Sequence, residues 1–448
     1  MAKIIIVWGL WGPYHCRRLE SLRRLGQASG QEVVGVSLFS GSRVNGRWRP
    51  EQLPAGVVHA NFGPDETRLP IKHIGSLLSL PRRLQAEVAL LPAYHHWSLL
   101  LNAGARLAGA RVVMMNETHA GTARATGLKA TFKQQVVARF HAALVGGQPQ
   151  RRYFASLGLP TEKIFTGYDA VDNDYFAHQA AEVRRRDSEF RNQYDLPDHF
   201  FLSLGRFVAK KNLGVLIRAY RRFLEANPQA QTHLVMVGSG EEDASLRALC
   251  AELRLPVYEK SDLHNRDGEA VERQLPIVNE TPGVHFYGFR QIDENPIFYG
   301  LADAFILPSL YEEWGLVVNE AMACGLPVIV SETAGCAEDL LVPDRLAIPP
   351  ESPAELRMHL VHLTGRIRQN GFLFNPASVH QLAKALLVLE AAPAIRENMG
   401  QASRRIVEDF SCENFAVNAL RAAEAALGGP QLKVNEHESS LGHQPLKV

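Results

Sequence analysis

The chain has 448 residues, 46% hydrophobic and 21% charged, with 48 Lys and Arg against 47 Asp and Glu. That balance excludes a disordered chain and a fibre, and the length suits two domains of roughly 200 residues better than one core. Five scattered cysteines (Cys16, Cys250, Cys324, Cys336, Cys412) show no C-x-x-C and no His pair at ligand spacing, so neither a zinc site nor a disulfide framework is expected, and a reducing cytoplasm fits.

The apolar run after Lys3 breaks at Gly9 and Gly12, too early for a signal sequence, and reads as a first buried strand. Short apolar runs follow at 33–38, 88–91, 112–115 and 143–145, separated by longer amphipathic or loop segments. That alternation predicts a parallel α/β sheet. No stretch reaches about 18 apolar residues, so no span is expected and only a peripheral contact is open at a membrane. Residues 1–180 carry 21 Lys and Arg against 11 Asp and Glu. This excess reads either as a solvated positive face or as attraction to an anionic membrane or polyanionic acceptor. Nucleic acid is not expected as a partner, because no RNP-type aromatic motif or Gly-x-x-Gly clamp accompanies the charge. The segment 127–140, with Lys129, Lys133 and Arg139 between apolar residues, is read as a core-facing helix in preference to a membrane-surface one.

A second strand series runs through 200–204, 234–237, 284–287, 304–307 and 328–330, with a helix expected over 213–227. The chain therefore divides into two Rossmann-like halves, 1–180 and 199–408, around a cleft. The polar, charge-rich segment 181–198 reads as the linker. Two stretches, 256–283 and 342–370, read as surface insertions, the second with a helical run at 353–368, and 429–448 reads as a disordered tail.

The most informative stretch is 311–338, YEEWGLVVNEAMACGLPVIVSETAGCAE. Gly315 removes a side chain where a backbone approaches a ligand, and a helix begins at Leu316 and closes at Gly325 before Pro327. The free amides and dipole of such a helix start suit the diphosphate of a nucleotide sugar. A lone Glu near a helix start is ordinarily only a dipole partner; here Glu312 stands before the helix and Glu320 one turn inside it. Upstream, LGRFVAKKN runs from a strand end into a helix, so Arg206 and Lys211 can both reach one diphosphate and stabilise it as a leaving group. Lys210 ranks below Lys211 on spacing.

Glu312 and Glu320, with Gly315, Leu316, Ala321, Met322, Gly325, Pro327 and Val328, resemble the E-x7-E signature of the family-4 (group 1) retaining glycosyltransferases of the GT-B fold. Gly205-Arg206 and Lys211-Asn212 resemble that family's Gly-Arg and Lys-Gly/Asn pair. The resemblance implies two Rossmann-like domains with parallel sheets facing across a cleft, and a helix over 409–428 returning to the first domain. It implies that Glu312 contacts donor-sugar hydroxyls, that Glu320 holds the ribose, and that the backbone of Trp314, Gly315, Leu316 and Val317 contacts sugar and phosphate. Gly238 and Gly240, in VGSGEED, resemble the family's G-x-G beside the nucleotide; as a dinucleotide fingerprint the run is incomplete. Phe289 and Arg290 resemble the segment that touches the base.

In the first half the family places a glycine loop against donor phosphate and acceptor, which points to Gly12, with Tyr14 and His15 behind it. His119, in a loop after a predicted strand end, matches in order the family's histidine near the donor sugar, with Glu117 as its neighbour. Asp172 matches a Gly-Val-Asp segment, with Ala170 where Gly is usual, and reads as structural. The implied activity is metal-independent, cofactor-free transfer from a nucleoside-diphosphate sugar to a saccharide, lipid-linked or polysaccharide acceptor, with anomeric configuration retained. A nucleotide-sugar epimerase and a non-catalytic sugar-nucleotide-binding protein are the rival readings.

Overall fold

The computed structural model describes residues 2–40, 53–63, 71–92, 95–124, 126–260, 281–343, 358, 363 and 365–428. The first half forms a sheet of β1 (Lys3–Trp8), β2 (Glu32–Ser37), β3 (Val58–His59), β4 (Val88–Pro92), β5 (Arg111–Asn116), β6 (Ala142–Val145) and β7 (Ile164–Phe165). The order is β3-β2-β1-β4-β5-β6-β7 and every pairing is parallel. Helices cover both faces, which is why Ile4, Ile5, Ile6 and Val7 are all buried and the strand reads as a continuous apolar run. Strand order reverses between β1 and β4, where doubly wound sheets open a ligand crevice.

The second sheet contains β8 (Phe200–Leu204), β9 (His233–Val237), β10 (Val257–Glu259), β11 (Val284–Phe286), β12 (Ala304–Leu307), β13 (Val328–Ser331), β14 (Ile367–Arg368) and β15 (Gly371–Phe374). Its order is β10-β11-β9-β8-β12-β13-β15-β14, parallel except for the edge pair β14 and β15. The reversal here falls between β8 and β12. The chain has the GT-B architecture expected of it: two parallel-sheet Rossmann-like halves.

The segment 181–198 is not bare linker. It holds the end of the helix Asn173–Arg185, which Asp172 caps by accepting from Tyr175 N at 3.0 Å, and the helix Asp187–Tyr194. Val183, Tyr194 and Leu196 enter the core around β8 and β12, three apolar contacts hidden among charged neighbours. The helix Cys412–Leu427 returns to pack on the first half, against the helix Pro13–Ala28 and the strands β4 to β6. Its cap residue Ser411 bridges Val171, so the two crossings between the halves run side by side.

The helix Leu128–Val137 corrects the core-facing reading, because among its residues only Val137 is buried. Lys129 lies on its exposed surface together with Leu128 and Phe132, whereas Lys133 is half-buried and donates to Tyr153 OH at 2.8 Å. Within 256–283, β10 joins the sheet edge and 261–280 lie outside the described residues. Of the helical run read at 353–368, residues 367–368 are strand β14 and most of the rest lies outside the described residues, as does 429–448. Among the described residues, no helix is long and apolar enough to cross a membrane.

Candidate active site in the cleft

The carboxyl ends of β8, β9, β11 and β12 carry loops that are tied to one another. Gly238 has φ 142°, and a Cβ there would stand 1.8 Å from Gly205 O, so the 205 and 238 turns approach too closely for any side chain. Gly205 N donates to Val237 O at 2.9 Å and Gly238 N to Gly288 O at 2.7 Å, joining three loops. Gly240 is held by its N–H donating to Asp243 Oδ2 at 2.6 Å. Next to them, Arg290 donates to Phe289 O and Lys260 O, both at 3.1 Å, which fixes the expected base-contacting pair.

Asn212 sits in the left-handed region at φ 55°, and its Nδ2 donates to Pro308 O at 3.1 Å and Pro376 O at 2.9 Å. Leu310 N donates to Lys210 O at 2.8 Å. These bonds fasten the lysine loop to the loop after β12. Lys210 Nζ therefore lies 3.0 Å from Glu312 Oε1 and 2.9 Å from Glu313 Oε2, and Lys211 Nζ donates to Glu312 Oε2. Burial would raise the Glu312 carboxyl, but Lys211 and Lys210 outweigh it and hold the group below its ordinary range. Lys210, ranked second from spacing, is an equal partner; two adjacent lysines can straddle one carboxylate, which linear spacing does not reveal. Arg206 stays apart, exposed and with no side-chain hydrogen bond or ion pair among the described residues.

Gly315, at φ 113°, is the N-cap of the helix Leu316–Ala323, and a Cβ on it would come 2.9 Å from Leu307 Cδ2. The turn thus requires glycine at the point where the helix amides begin. Leu316 and Val317 are half-buried there, whereas the Trp314 side chain is buried and donates to Asn319 Oδ1 at 2.9 Å, leaving only its backbone on the cleft path. Glu320 lies deeper and is fully buried. Its carboxylate accepts from Tyr14 OH across the cleft and from Asn295 Nδ2 at 3.4 Å. Burial pushes its pKa up to about 7 despite those donors.

From the first half, Gly12 caps the helix Pro13–Ala28 with φ −135°, and a Cβ there would meet nothing closer than His15 Nδ1 at 3.9 Å, so local packing does not demand the glycine. Gly12 N donates to that same nitrogen at 2.9 Å. His119 crosses the cleft. Gly121 N donates to its Nδ1 at 3.2 Å, so Nε2 carries the proton and donates to Glu312 O at 3.0 Å. Gly335 N reaches the same carbonyl at 3.0 Å.

Further cross-cleft ties were not legible in the sequence. Gln150 Nε2 donates to Glu313 O at 2.8 Å, and Asp339 caps the helix Gln148–Ser156 of the opposite half through Gln148 N at 3.0 and 3.1 Å. Burial raises Asp339 to about 7. Beneath them Asp169 is wholly buried, its carboxyl held well above the ordinary range by burial and by Glu117, with Arg18 4.0 Å away opposing. No run or spacing marks such pairs, because each partner lies more than a hundred residues from the other or inside an unremarkable loop.

The site can thus present anion-binding amides at a helix start, two lysines and an arginine, and carboxylates that accept hydroxyls. Among the described residues no group of three or more His, Cys, Asp or Glu is arranged to hold a metal.

Residues 198–366 match the family model described as glycosyl transferases group 1. Over 151 residues the chain is 32% identical to a glycosyltransferase of Methanocaldococcus jannaschii, a match covering 33% of this chain and 32% of that protein. Against the first curated relatives it matches, the chain spans about a third of their length or less. Whole-chain likeness is found among solved structures. A glycosyltransferase from Rickettsia africae superimposes with a TM-score of 0.66 at 14% identity, covering 95% of this chain and 98% of that one. Anabaena HepE in complex with UDP and glucose gives 0.62 at 15% identity over 94% and 98%. The fold of the whole chain and the match of its second half agree with the family that the E-x7-E motif resembles: this is a GT-B protein carrying a group 1 glycosyltransferase domain.

Proposed function

We propose that the chain is a glycosyltransferase, moving a sugar from a nucleoside-diphosphate sugar to a saccharide acceptor carried on a lipid or a growing polysaccharide, with retention at the anomeric carbon and without a metal. The observation that carries this reading is the Glu312 carboxylate held between Lys210 and Lys211 at the β8–β12 switch point, opposite His119. In this reading the donor diphosphate takes up Lys211 and Arg206, and the amides from Gly315 to Val317 and the Gly12 turn flank it. Glu312 then accepts hydroxyls of the donor sugar and Glu320 those of the ribose, while Gly205, Gly238, Gly240, Phe289 and Arg290 line the nucleoside.

As the bond from the anomeric carbon to the phosphate oxygen breaks, the developing negative charge falls beside two cations, which is where preorganised charge lowers a barrier most. The acceptor hydroxyl adds on the face the phosphate leaves and gives its proton to the departing phosphate oxygen, which retains configuration. Complexes of a structural neighbour with UDP and with UDP-glucose make uridine-diphosphate sugars the first donors to try.

A reducing cytoplasm, which keeps buried cysteines such as Cys250, Cys324, Cys336 and Cys412 as thiols, is the compartment this reading favours. Leu128 and Phe132, 90% and 62% exposed beside Lys129, support a peripheral contact with an anionic membrane face. A thermal-shift screen against UDP, GDP and ADP, followed by NMR of the product anomer, tests the assignment. A change of donor stereochemistry with no transfer would favour the epimerase instead.

A further inference from the structure

Glu320 is fully buried, and both of its carboxylate oxygens are engaged: Oε1 accepts from Tyr14 OH of the first half, and Oε2 from Asn295 Nδ2 at 3.4 Å. A ribose hydroxyl cannot reach this carboxylate while the Tyr14 phenol covers it. We propose that Tyr14 is a specificity-determining residue of the donor site, whose hydroxyl stands in the place of a ribose hydroxyl on Glu320 until the incoming nucleoside displaces it. The inference rests on the donor-binding reading above, and adds the protein group with which the nucleotide competes.

Three observations carry it. Tyr14 is the second residue of the helix Pro13–Ala28, which packs on the returning helix Cys412–Leu427 in the first half, yet the Tyr14 ring lies against the core around β8 and β12 in the second. Among the cross-cleft ties described above, its bond alone ends on a side chain that the donor must reach. His119 and Gln150 bond backbone carbonyls, and Asp339 bonds the Gln148 amide. Finally, a buried carboxylate that loses a donor is costly, whereas phenol and ribose are both neutral hydroxyl donors. Exchanging one for the other keeps Glu320 satisfied with the site empty and with it filled. The ribose bond gained is then offset by the phenol bond broken, and a nucleotide without ribose hydroxyls leaves the phenol where it is.

The test removes the competing hydroxyl. Tyr14→Phe keeps the ring that packs on the second half, so the fold is not at risk. Calorimetry at about pH 8, above the Glu320 pKa of about 7, gives the Kd of UDP and of 2′,3′-dideoxy-UDP for wild type and variant, and the GDP and ADP pairs are treated alike. The ratio of the dideoxy Kd to the parent Kd is the readout, because any change in cleft closure common to both ligands cancels in it. The expected ratio is near one in the wild type and about tenfold larger in Tyr14→Phe, the order of a hydrogen bond to a carboxylate. A ratio that is unchanged or smaller in the variant, with the parent nucleotide still bound, overturns the assignment of Tyr14 and leaves the donor reading standing. If UDP, GDP and ADP all fail to bind the wild type, the donor reading has failed and the assignment with it.

Discussion

Replacing Lys211 by Ala separates a built charge cluster from an accidental surface contact. The Lys211 and Glu312 side chains are only 14% and 11% exposed, so solvent screens the pair weakly. A hydrogen bond to a charged group contributes about 1.5–3 kcal/mol. Stripping a buried ion of its whole partner set costs about 3–5 kcal/mol. Glu312 keeps Lys210 at 3.0 Å and Ser309 Oγ at 3.3 Å, so the lower range applies. At about 2–4 °C per kcal/mol for domains of this size, Lys211→Ala lowers the melting temperature by about 3–12 °C. A double-mutant cycle with Glu312→Gln isolates the pair, and denaturant unfolding of the four proteins should give a coupling of at least about 1 kcal/mol. Additivity within about 0.5 kcal/mol would mean that the two groups do not interact, and the cluster as described would be wrong.

Other consequences are as specific. Glu320 and Asp339 both have folded pKa values raised to about 7, above their ordinary 4.5 and 3.8, so the folded state binds more protons and stability falls as pH rises from about 4 to 7. Glu320→Gln with Asp339→Asn should flatten that slope in melting experiments, and an unchanged slope would remove both groups as its source. Glu312 has the opposite sign, stabilising at neutral pH and losing that contribution only as pH falls through its depressed pKa. Gly238→Ala, whose Cβ would meet Gly205 O at 1.8 Å, should cost about 2–4 kcal/mol and weaken UDP binding at least tenfold, read by calorimetry. Leu128→Glu with Phe132→Glu should abolish sedimentation with phosphatidylglycerol vesicles while leaving donor turnover intact; equal sedimentation would refute the membrane face. Turnover should be unchanged in EDTA.

Strand existence was legible because buried parallel strands are unbroken apolar runs, as at 200–204 and 328–330, and the helix Leu213–Ala226 announced itself by its periodicity. The two-residue strands β3, β7 and β14 were not, being too short to show any period. The helix Leu128–Val137 misled for a different reason: its apolar residues keep helical spacing, yet Leu128 and Phe132 point to solvent, and spacing alone cannot tell a core from a membrane face. At the site, Glu312, Glu320, Lys211 and His119 could be found because a compact motif or a strand end marks each. Tyr14 on Glu320, Asp339 on Gln148 and Gln150 on the Glu313 carbonyl could not, since they exist only once the two halves face each other.

The central claim is that this cleft breaks the bond between a sugar and a nucleoside diphosphate using Glu312, Lys211 and Arg206. Release of free nucleoside diphosphate from UDP-, GDP- and ADP-sugars, followed by NMR for the wild type and for Glu312→Ala, Lys211→Ala and Arg206→Ala, measures it directly. The account predicts turnover of at least one donor by the wild type and a loss of 100-fold or more in each variant; turnover that survives all three substitutions, or a wild type inert toward every donor, would contradict it.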